Sequence, residues 1–484
     1  EDIDKDELKE TQIALWLINS SITSPKLEDI FSFAKTKDFV KARQAVFSEL
    51  EKRNLKKVFE EIERPLIAVV RKMNKRGVKI DTEYLNKLSK EYHKELTKLE
   101  ENIWKEAAPH TKESDMEKFN VASPKQLAVV LFDRMGLTAK GLKKTEGGAR
   151  STKESELLKL KDAHPIIELI LEYREFAKLL STYIDNMPQM ADAGGRLHAE
   201  FLQAGAATGR MASQNPGLQN IPIKTEAGKR IRNAFIAEDG FKILSIDYSQ
   251  IELRVAAILS SDPKLLEIFR NGEDVHTAVA SEVFGVEREK VDYEMRRKAK
   301  VINFGIIYGM GINALKTNLG ASREEATKFH NDYFEKFSTL ARYLDEVKAF
   351  AYKEGYTETL FGRRRYFEGL KSVLPFIRAA SERQAINAPL QGTAADVIKL
   401  AMLRVDEFLQ KENLEDKVYL TMQVHDELVY EVKEDLVEKV APKIREVMEG
   451  VLSPKESKEV PMMAESYVGK NWGAMQRIAD SSQT

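Results

Sequence analysis

Two carboxylates lie in separate stretches of the chain that each have the pattern of a β-strand. Asp426 follows His425 in VYLTMQVHDELVYEV (418–432), where two β-branched or aromatic runs predict a hairpin with His-Asp as its turn. Asp247 ends the apolar run of ILSIDYSQIELR (243–254). If both strands belong to one sheet, the carboxylates meet, and such a pair suits a hard cation such as Mg²⁺. Two metal ions about 3.5–4 Å apart can activate an attacking oxygen and stabilise a leaving one.

Each of these carboxylates also has an ordinary structural interpretation. Asp426 can be a solvated turn residue, since an Asp side chain at a turn bonds its own backbone. Two-residue hairpin turns favour Gly because their central residues need positive φ, and His-Asp supplies none. Asp247 can be the N-cap of the helix that follows it, a position that favours Asp. The two stretches alone leave both interpretations open.

A second constellation lies in YEMRRKAKVINFGIIYGMG (293–311). Arg296, Lys300, Phe304 and Tyr308 recur every four residues, which predicts one slowly drifting stripe along a helix. Arg and Lys can hold a polyphosphate, one bidentately and one as a point charge. The two rings offer a flat face for a base, so a nucleoside triphosphate laid along the stripe engages every member. The alternative is an amphipathic helix with a basic rim and an aromatic core face.

Three further segments carry polar side chains of the kind that contact nucleic acids. TGRMASQNPGLQNIP (208–222) is a Gly- and Asn-rich connection, and ERQAINAPLQGTAADVIK (382–399) is predicted as a helix that Pro389 interrupts. Cap and loop hydrogen bonds are the ordinary interpretation of such residues. The loop AKGLKKTEGGARSTK (139–153) is either a solvated loop or a flexible tip that touches a phosphate backbone.

Composition excludes several classes of function. The chain has 484 residues, of which 43% are hydrophobic, enough for a large core in several lobes. It has no Cys, which excludes disulfides, a thiolate metal site and a cysteine nucleophile. The net charge of -1 excludes a uniformly basic surface, and no apolar run is long enough to span a bilayer. The N-terminal EDIDKDELKE has no signal-peptide layout and no initiator Met, which predicts a fragment or a processed chain.

The secondary structure that must position these residues is predicted to alternate between helices and strands along the chain. Residues 1–60 are predicted as helical and highly charged, residues 63–81 as a helix that Gly77 ends before a short strand, and residues 82–107 as a charged amphipathic helix. Strands are predicted from residue 197, helices over residues 275–410, and the hairpin at residues 416–434. Sheet residues therefore come from two segments separated by a large helical insertion, and a carboxylate on each can meet on one sheet.

Three segments resemble motifs A, B and C of the family A DNA polymerases: DYSQIELR, RRKAKVINFGIIYG and QVHDE, in that order. AATGR, LQNIP, GYTETLFGRRR and INAPLQGTAADVIK are also similar to that family, and the resemblance covers roughly residues 60–484. It implies an α+β fold of right-hand architecture with an antiparallel-sheet palm, helical fingers and a helical thumb. The implied ranges are 1–60 for an inactive remnant of a 3′–5′ exonuclease-like domain, 61–190 for the thumb and its base, 191–255 for the palm, 256–395 for the fingers, and 396–484 for the palm hairpin and C-terminus.

The resemblance also implies roles for individual residues. Asp247 and Asp426 would hold two Mg²⁺ ions, which Mn²⁺ can replace, with the backbone carbonyl of Tyr248 as a further ligand. Lys300 would also act as a general acid toward the leaving pyrophosphate, and Glu252 would fill the space that a ribose 2′-OH needs. The implied nucleotide-binding residues are Arg296, Lys300, Phe304, Tyr308, His276, Gln250 and Glu252. The implied DNA-binding residues are Arg210, Gln219, Asn220, Arg383, Asn387, Gln391, His425, Lys143 and Lys144.

The activity that follows from the resemblance is template-directed DNA synthesis, with deoxynucleoside triphosphates added to a primer and pyrophosphate released. The expected partners are primer-template DNA and deoxynucleoside triphosphates, with no membrane, for a monomer in the bacterial or phage-infected cytoplasm. Residues 1–60 lack the carboxylate set of a proofreading exonuclease, so we expect no proofreading. A single-subunit phage-type RNA polymerase is an alternative that Glu252 disfavours. A catalytically inactive DNA-binding scaffold is another, which the presence of Asp247, Asp426 and Lys300 disfavours.

Overall fold

The computed structural model describes residues 3–110, 118–139, 141–145, 147, 148, 150–307 and 309–479. The N-terminal part is helical, as its sequence predicts, and Asp4 caps the first helix by accepting from two backbone N–H groups at 2.9 Å. Its helices pack around an apolar cluster of their own. They are α1 (Lys5–Ile18), α2 (Leu27–Ala34), α3 (Phe39–Lys52) and α4 (Lys56–Val58), and a π-helical turn (Phe59–Glu63) leads into α5 (Arg64–Arg76).

The next segment begins with a turn and a strand that the sequence predicts. Gly77 ends α5 with a φ of +62°, a conformation that glycine adopts most readily, and β1 (Val78–Ile80) follows. Helix α6 (Thr82–Ala107) has the predicted bounds and packs against α9 around a second apolar cluster. The shorter helices are α7 (Pro124–Ala128), α8 (Glu154–Leu157), α9 (Ile166–Leu179) and α10 (Met187–Met190), with π-helical turns prolonging α7 and α9.

Short strands lead into the central strand of the molecule. The bounds are β2 (Arg196–Leu197), β3 (Glu200–Leu202), β4 (Ala212–Gln214), α11 (Glu226–Arg232), β5 (Phe235–Ile236) and β6 (Phe241–Tyr248). Strands β2, β1 and β5 form one antiparallel sheet, and β3 pairs with β4. Four consecutive residues of β6 are buried, as expected for a strand inside a core.

A helical insertion separates β6 from the hairpin, as the sequence predicts. Its elements are α12 (Ile251–Ser260), α13 (Pro263–Arg270), α14 (Val275–Phe284), α15 (Tyr293–Ile307), α16 (Ile312–Leu319), α17 (Arg323–Lys336), α18 (Ser338–Glu354), β7 (Tyr356–Glu358), β8 (Arg364–Tyr366) and α19 (Pro375–Lys411).

The predicted interruption at Pro389 is wrong, because α19 runs through this residue without a break. Proline removes one backbone hydrogen bond and crowds the preceding turn, which normally kinks or ends a helix. Here Asn387, Ala388, Pro389 and Leu390 are all buried. Tertiary packing of this stretch therefore outweighs the local preference.

The chain then completes a five-stranded antiparallel sheet around β6. The remaining elements are β9 (Val418–Val424), β10 (Glu427–Lys433), α20 (Val437–Glu449), β11 (Ala464–Gly469) and β12 (Gln476–Arg477). The strand order is β12-β11-β6-β10-β9, so β6 lies between the hairpin and a C-terminal strand. The predicted meeting of the two sheet segments is confirmed. No helix in the described ranges is long and apolar enough to cross a membrane.

Candidate active site

The hairpin turn is the His-Asp pair that the sequence predicts. Val424 pairs with Glu427 across the turn, so His425 and Asp426 are its two central residues. His425 has a φ of +54°, the left-handed conformation for which Gly is usually selected. The backbone N–H of Tyr248 donates to the carbonyl oxygen of Asp426 at 3.2 Å. The turn is therefore held directly against the end of β6.

Asp247 lies next to that turn, within β6 and opposite carboxylates on both neighbouring strands. It pairs in register with Glu427 of β10 and with Glu465 of β11. Its side chain is open to solvent at one edge. Desolvation by the surrounding protein, followed by repulsion from Glu427, Asp426 and Glu465, raises the pKa of Asp247 to about 7, and Arg232 opposes this rise. A carboxylate among carboxylates is stabilised by any cation placed between them.

The alternative interpretation of Asp247 as a helix N-cap is excluded by the helix boundary. The N-cap of α12 is Gln250, three residues later, with a φ of +54°. The strand continues through Asp247 to Tyr248. Gln250 therefore joins strand to helix in a left-handed turn, and its implied contact with a nucleotide stays a prediction.

Asp426 completes the carboxylate pair from the turn. Burial raises the pKa of Asp426, while electrostatic interactions with Arg210 and His425 lower it in part. Its side chain is half-buried. The structure thus brings Asp426 within electrostatic reach of Arg210, a residue from a distant part of the chain.

The oxygen donors of this pair suit a divalent cation shared with a substrate. In the described part of the chain, no three His, Asp or Glu side chains converge as a ready-made metal cage. Mg²⁺ is usually bound by one or two carboxylates together with substrate phosphates rather than by such a cage. The Tyr248 side chain is buried and its hydroxyl donates to the carbonyl oxygen of Met448 at 2.6 Å, so Tyr248 offers only its backbone carbonyl. The donor set that fits is Asp247, Asp426 and this carbonyl.

Two further carboxylates border the site, and the sequence analysis missed both. Glu427 accepts from the indole Nε1 of Trp472 at 2.9 Å and from the hydroxyl of Ser245, which fixes its orientation. Its position directly after Asp426 in QVHDE was an available signal. Glu465 forms an ion pair of 3.1 Å with Arg477 and lies on β11, which was not recognised as a strand.

Helix α15 carries the predicted stripe of Arg296, Lys300 and Phe304, while Tyr308 lies outside the described residues. Arg296 makes a bidentate ion pair with Asp274, with N–O distances of 3.1 and 2.9 Å. Burial alone would raise the pKa of Asp274, but hydrogen bonds from Arg296 and from the first turn of α14 lower it to about 2. Asp274 was missed by the sequence analysis, and it holds the guanidinium that is predicted to bind phosphate.

His276 lies beneath this stripe. Its ring is buried, 5.7 Å from the Phe304 ring, and its Nδ1 is 3.0 Å from the amide nitrogen of Asn303. Burial lowers the pKa of His276 to about 4; Asp274 opposes this, and the two cations of the stripe add to it. The imidazole is therefore neutral near pH 7, and with the Asn303 amide donating to Nδ1 its proton lies on Nε2. A neutral ring of this kind can donate one hydrogen bond to a phosphate.

Glu252 is the second residue of α12; it is buried and forms an ion pair with Arg210. Burial of a carboxylate is costly unless it is paired, and the guanidinium meets that need. The pair connects the helix after Asp247 with the AATGR segment. Whether Glu252 borders the sugar of a bound nucleotide stays a prediction.

We expect Glu252→Ala to raise ribonucleotide incorporation, relative to deoxynucleotide, by about tenfold or more, because it opens a space of methylene size or larger. Single-turnover incorporation of both substrates by the parent and the variant measures this ratio. Glu252→Gln keeps the side-chain volume and should leave the ratio nearly unchanged. An unaltered ratio in Glu252→Ala would show that this side chain does not gate the sugar.

A hydrogen-bonded chain connects the LQNIP segment to the hairpin turn. The amide nitrogen of Gln219 donates to the backbone and side-chain oxygens of Gln423, at 3.0 and 2.9 Å, and the Gln423 amide donates to the His425 carbonyl. Arg210, Gln219, Asn220 and His425 line one cavity of about 110 Å³. The structure thus brings these four predicted DNA-binding residues together, and it adds Gln423, which was missed.

The other predicted DNA contacts lie on α19 and in the loop between α7 and α8. Arg383 is exposed, Gln391 is half-buried, and Asn387 is buried with no partner for its Oδ1 among the described residues. Lys143 and Lys144 are exposed, and their loop packs with the second apolar cluster rather than with the central sheet. Contact of these five residues with DNA stays a prediction.

A buried ion cluster lies behind the AATGR segment. The Arg363 guanidinium contacts Asp396 at 2.8 Å and also Glu63, and the Lys399 ammonium contacts Glu63 at 2.7 Å. All four side chains are nearly inaccessible to solvent, and their charges balance. Gly209 packs on Arg363, since a Cβ on Gly209 would lie 3.0 Å from the Arg363 Cδ. The cluster therefore fixes the backbone of the AATGR segment against α19.

Comparisons with known proteins agree with this geometry. The model of the family "DNA polymerase family A" matches residues 82–474. The chain is 45% identical over 416 residues to the thermostable DNA polymerase I of Thermus aquaticus, which covers 86% of this chain and 48% of that protein. It is 43% identical over 436 residues to DNA polymerase I of Pseudomonas aeruginosa, covering 90% of this chain and 46% of that protein. The chain thus spans about half the length of the curated relatives it matches.

A solved structure matches over nearly the whole chain. The POL domain of Pol1 from M. smegmatis, in complex with DNA primer-template and dNTP, superposes with a TM-score of 0.87 at 34% sequence identity. The match covers 96% of this chain and 82% of that one. The α+β architecture expected from the sequence is confirmed by this likeness.

Proposed function

Since the chain belongs to DNA polymerase family A, we propose that it performs template-directed DNA synthesis, adding deoxynucleotides to a primer 3′-OH and releasing pyrophosphate. The observation that carries the proposal is the meeting of Asp247 on β6 with Asp426 on the hairpin turn. Two sheet segments 179 residues apart in sequence place these carboxylates side by side. The Pol1 domain with its bound primer-template and dNTP supports the substrates.

The residues that would hold Mg²⁺ are Asp247, Asp426 and the backbone carbonyl of Tyr248. When bound, the metal supplies activation of the attacking oxygen and charge stabilisation at the transferred phosphate. The carboxylates of Glu427 and Glu465 deepen the negative field around this pair. The backbone hydrogen bond from Tyr248 to Asp426 holds the turn against β6, which positions the donor set before any substrate arrives.

The stripe on α15 holds the triphosphate in this proposal. Arg296 leaves Asp274 and binds phosphate oxygens instead. Its guanidinium is paired with an anion before and after this change of partner. The neutral His276 donates from Nε2. Lys300, an exposed cation on the same face of the helix, supplies a proton to the leaving pyrophosphate.

The cavity lined by Arg210, Gln219, Asn220 and His425 receives the primer end. Every Watson–Crick pair offers acceptors in the minor groove. Donors such as Arg210 and, from α19, Gln391 can therefore check pair geometry without reading the sequence, as copying any template requires.

Primer extension tests the proposal. A labelled primer annealed to a longer DNA template should lengthen to the template's end with four deoxynucleoside triphosphates and Mg²⁺. Excess EDTA should abolish extension, and excess Mg²⁺ should restore it, because the carboxylates alone cannot activate the 3′-OH. Absence of extension by the folded chain would refute the proposal, and equal use of ribonucleotides would favour an RNA polymerase.

A further inference from the structure

A cluster of large apolar side chains is exposed where α19 begins. Val373 is 88% exposed, Phe376 70% and Leu374 46%, in the segment Val-Leu-Pro-Phe-Ile at residues 373–377. We refer to residues 373–377 as the apolar tip. Single exposed apolar residues are common, but several adjacent ones indicate a surface that binds a partner.

Helix periodicity places Phe376 on the same face as the predicted DNA contacts of α19. Arg383 and Asn387 follow Phe376 by seven and eleven residues on one continuous helix. At 3.6 residues per turn, these spacings return to within about 20° of the starting direction. Phe376 and Arg383 are both exposed along this face. The apolar tip therefore continues this stripe of predicted DNA contacts beyond Arg383.

The direction of α19 relates the tip to the proposed sites of the incoming nucleotide and the primer end. Gly309, just beyond α15, packs on Arg383, since a Cβ on Gly309 would lie 3.0 Å from the Arg383 Cβ. Arg383 is thus level with the end of the helix that is proposed to hold the incoming nucleotide. Gln391, which is assigned to the primer end, lies about 12 Å along α19 in one direction, and Phe376 about 10 Å in the other. The tip therefore lies on the side of Arg383 opposite to the residue assigned to the primer end, which puts it ahead of the insertion site.

The segment around the tip also carries a net positive charge, which suits binding to DNA. Residues 364–384 contain five cations and two carboxylates. Phosphates are attracted to such a segment, while an exposed ring offers a stacking face for a base.

We propose that the apolar tip contacts the DNA ahead of the insertion site and parts the template from a strand annealed downstream. Phe376 stacks on the base exposed as the downstream duplex opens, and Val373 and Leu374 occupy the space from which the displaced base has left. Apolar side chains wedged at base steps unstack duplexes in this manner. The proposal rests on the proposed polymerase function, and no covalent step is added to it.

The test compares two substrates: a primer on a bare template, and the same primer with a blocking strand annealed directly downstream. The quantity measured is the ratio of extension rates, blocked over bare. Phe376→Ala should lower this ratio at least about fivefold, which corresponds to losing one base-stacking contact. Phe376→Tyr keeps the ring and should keep the ratio. Val40→Ala, which trims an exposed apolar residue of α3, should also leave it unchanged.

Each other result has a definite meaning. A ratio that does not change in Phe376→Ala overturns the inference, as does equal slowing on both substrates. A parent chain that copies the bare template but displaces no strand also overturns it. A drop in sedimentation mass on Phe376→Ala would instead assign the tip to pairing between two copies of the chain. If the parent chain fails to copy even the bare template, the proposed polymerase function is wrong. That result differs from one in which only the blocked template is not copied, which contradicts the inference about the apolar tip.

Discussion

Replacing either Asp247 or Asp426 by alanine lowers primer extension at least about a thousandfold while binding of primer-template DNA is retained. In the proposed mechanism the two adjacent carboxylates hold the metal ion, which contributes several kcal/mol to transition-state stabilisation. DNA affinity depends mainly on phosphate contacts elsewhere, so it should survive. Single-turnover extension and equilibrium binding of a labelled duplex measure the two quantities separately.

A matched control for this experiment is Asp239→Ala. Asp239 is an exposed carboxylate just before the opposite end of β6, so its loss changes the net charge by the same amount without touching the site. It should extend primers at the parent rate. Extension near the parent rate in Asp247→Ala or Asp426→Ala would refute the assignment of these residues as metal ligands.

The second expected result concerns Phe304. Its ring lies 5.7 Å from that of His276 and one helical turn from Lys300, and in the proposed binding mode it lies beside the sugar of the incoming nucleotide. A tyrosine hydroxyl there can bond the phosphate and stand in for the 3′-OH that a dideoxynucleotide lacks. One recovered hydrogen bond to a charged group is worth about 1.5–3 kcal/mol. Phe304→Tyr should therefore relax discrimination against dideoxynucleotides roughly ten- to a hundredfold.

The measurement is single-turnover incorporation of dideoxy- against deoxynucleotide. Incorporation of the normal substrate should change little, because that substrate brings its own 3′-OH. Phe350→Tyr adds the same hydroxyl on α18 and should leave the discrimination intact. If discrimination in Phe304→Tyr matches that of the parent, the ring does not face the sugar.

Features set by neighbours in the chain could be predicted from the sequence. The end of α5 at Gly77, the bounds of α6, the helix that carries Arg296, Lys300 and Phe304, and the two central residues of the hairpin turn all follow from local periodicity and backbone preference. The family resemblance added the roles of the residues. Apart from the meeting of the two sheet segments, contacts between distant segments were not predictable in this way, and Glu465, Asp274 and Gln423 were missed for that reason.

The sequence by itself determined the type and spacing of the reactive groups: a carboxylate at the end of a strand, a second one in a turn, and a cationic and aromatic stripe on one helix. Only the tertiary structure decided between the two interpretations of Asp247, because strand register places it among carboxylates and the N-cap of α12 is Gln250. It also decided that α19 continues through Pro389, since burial of that stretch outweighs the lost backbone hydrogen bond. Local preferences are worth about 1–3 kcal/mol per residue, and packing of many neighbours exceeds them wherever the chain folds back on itself.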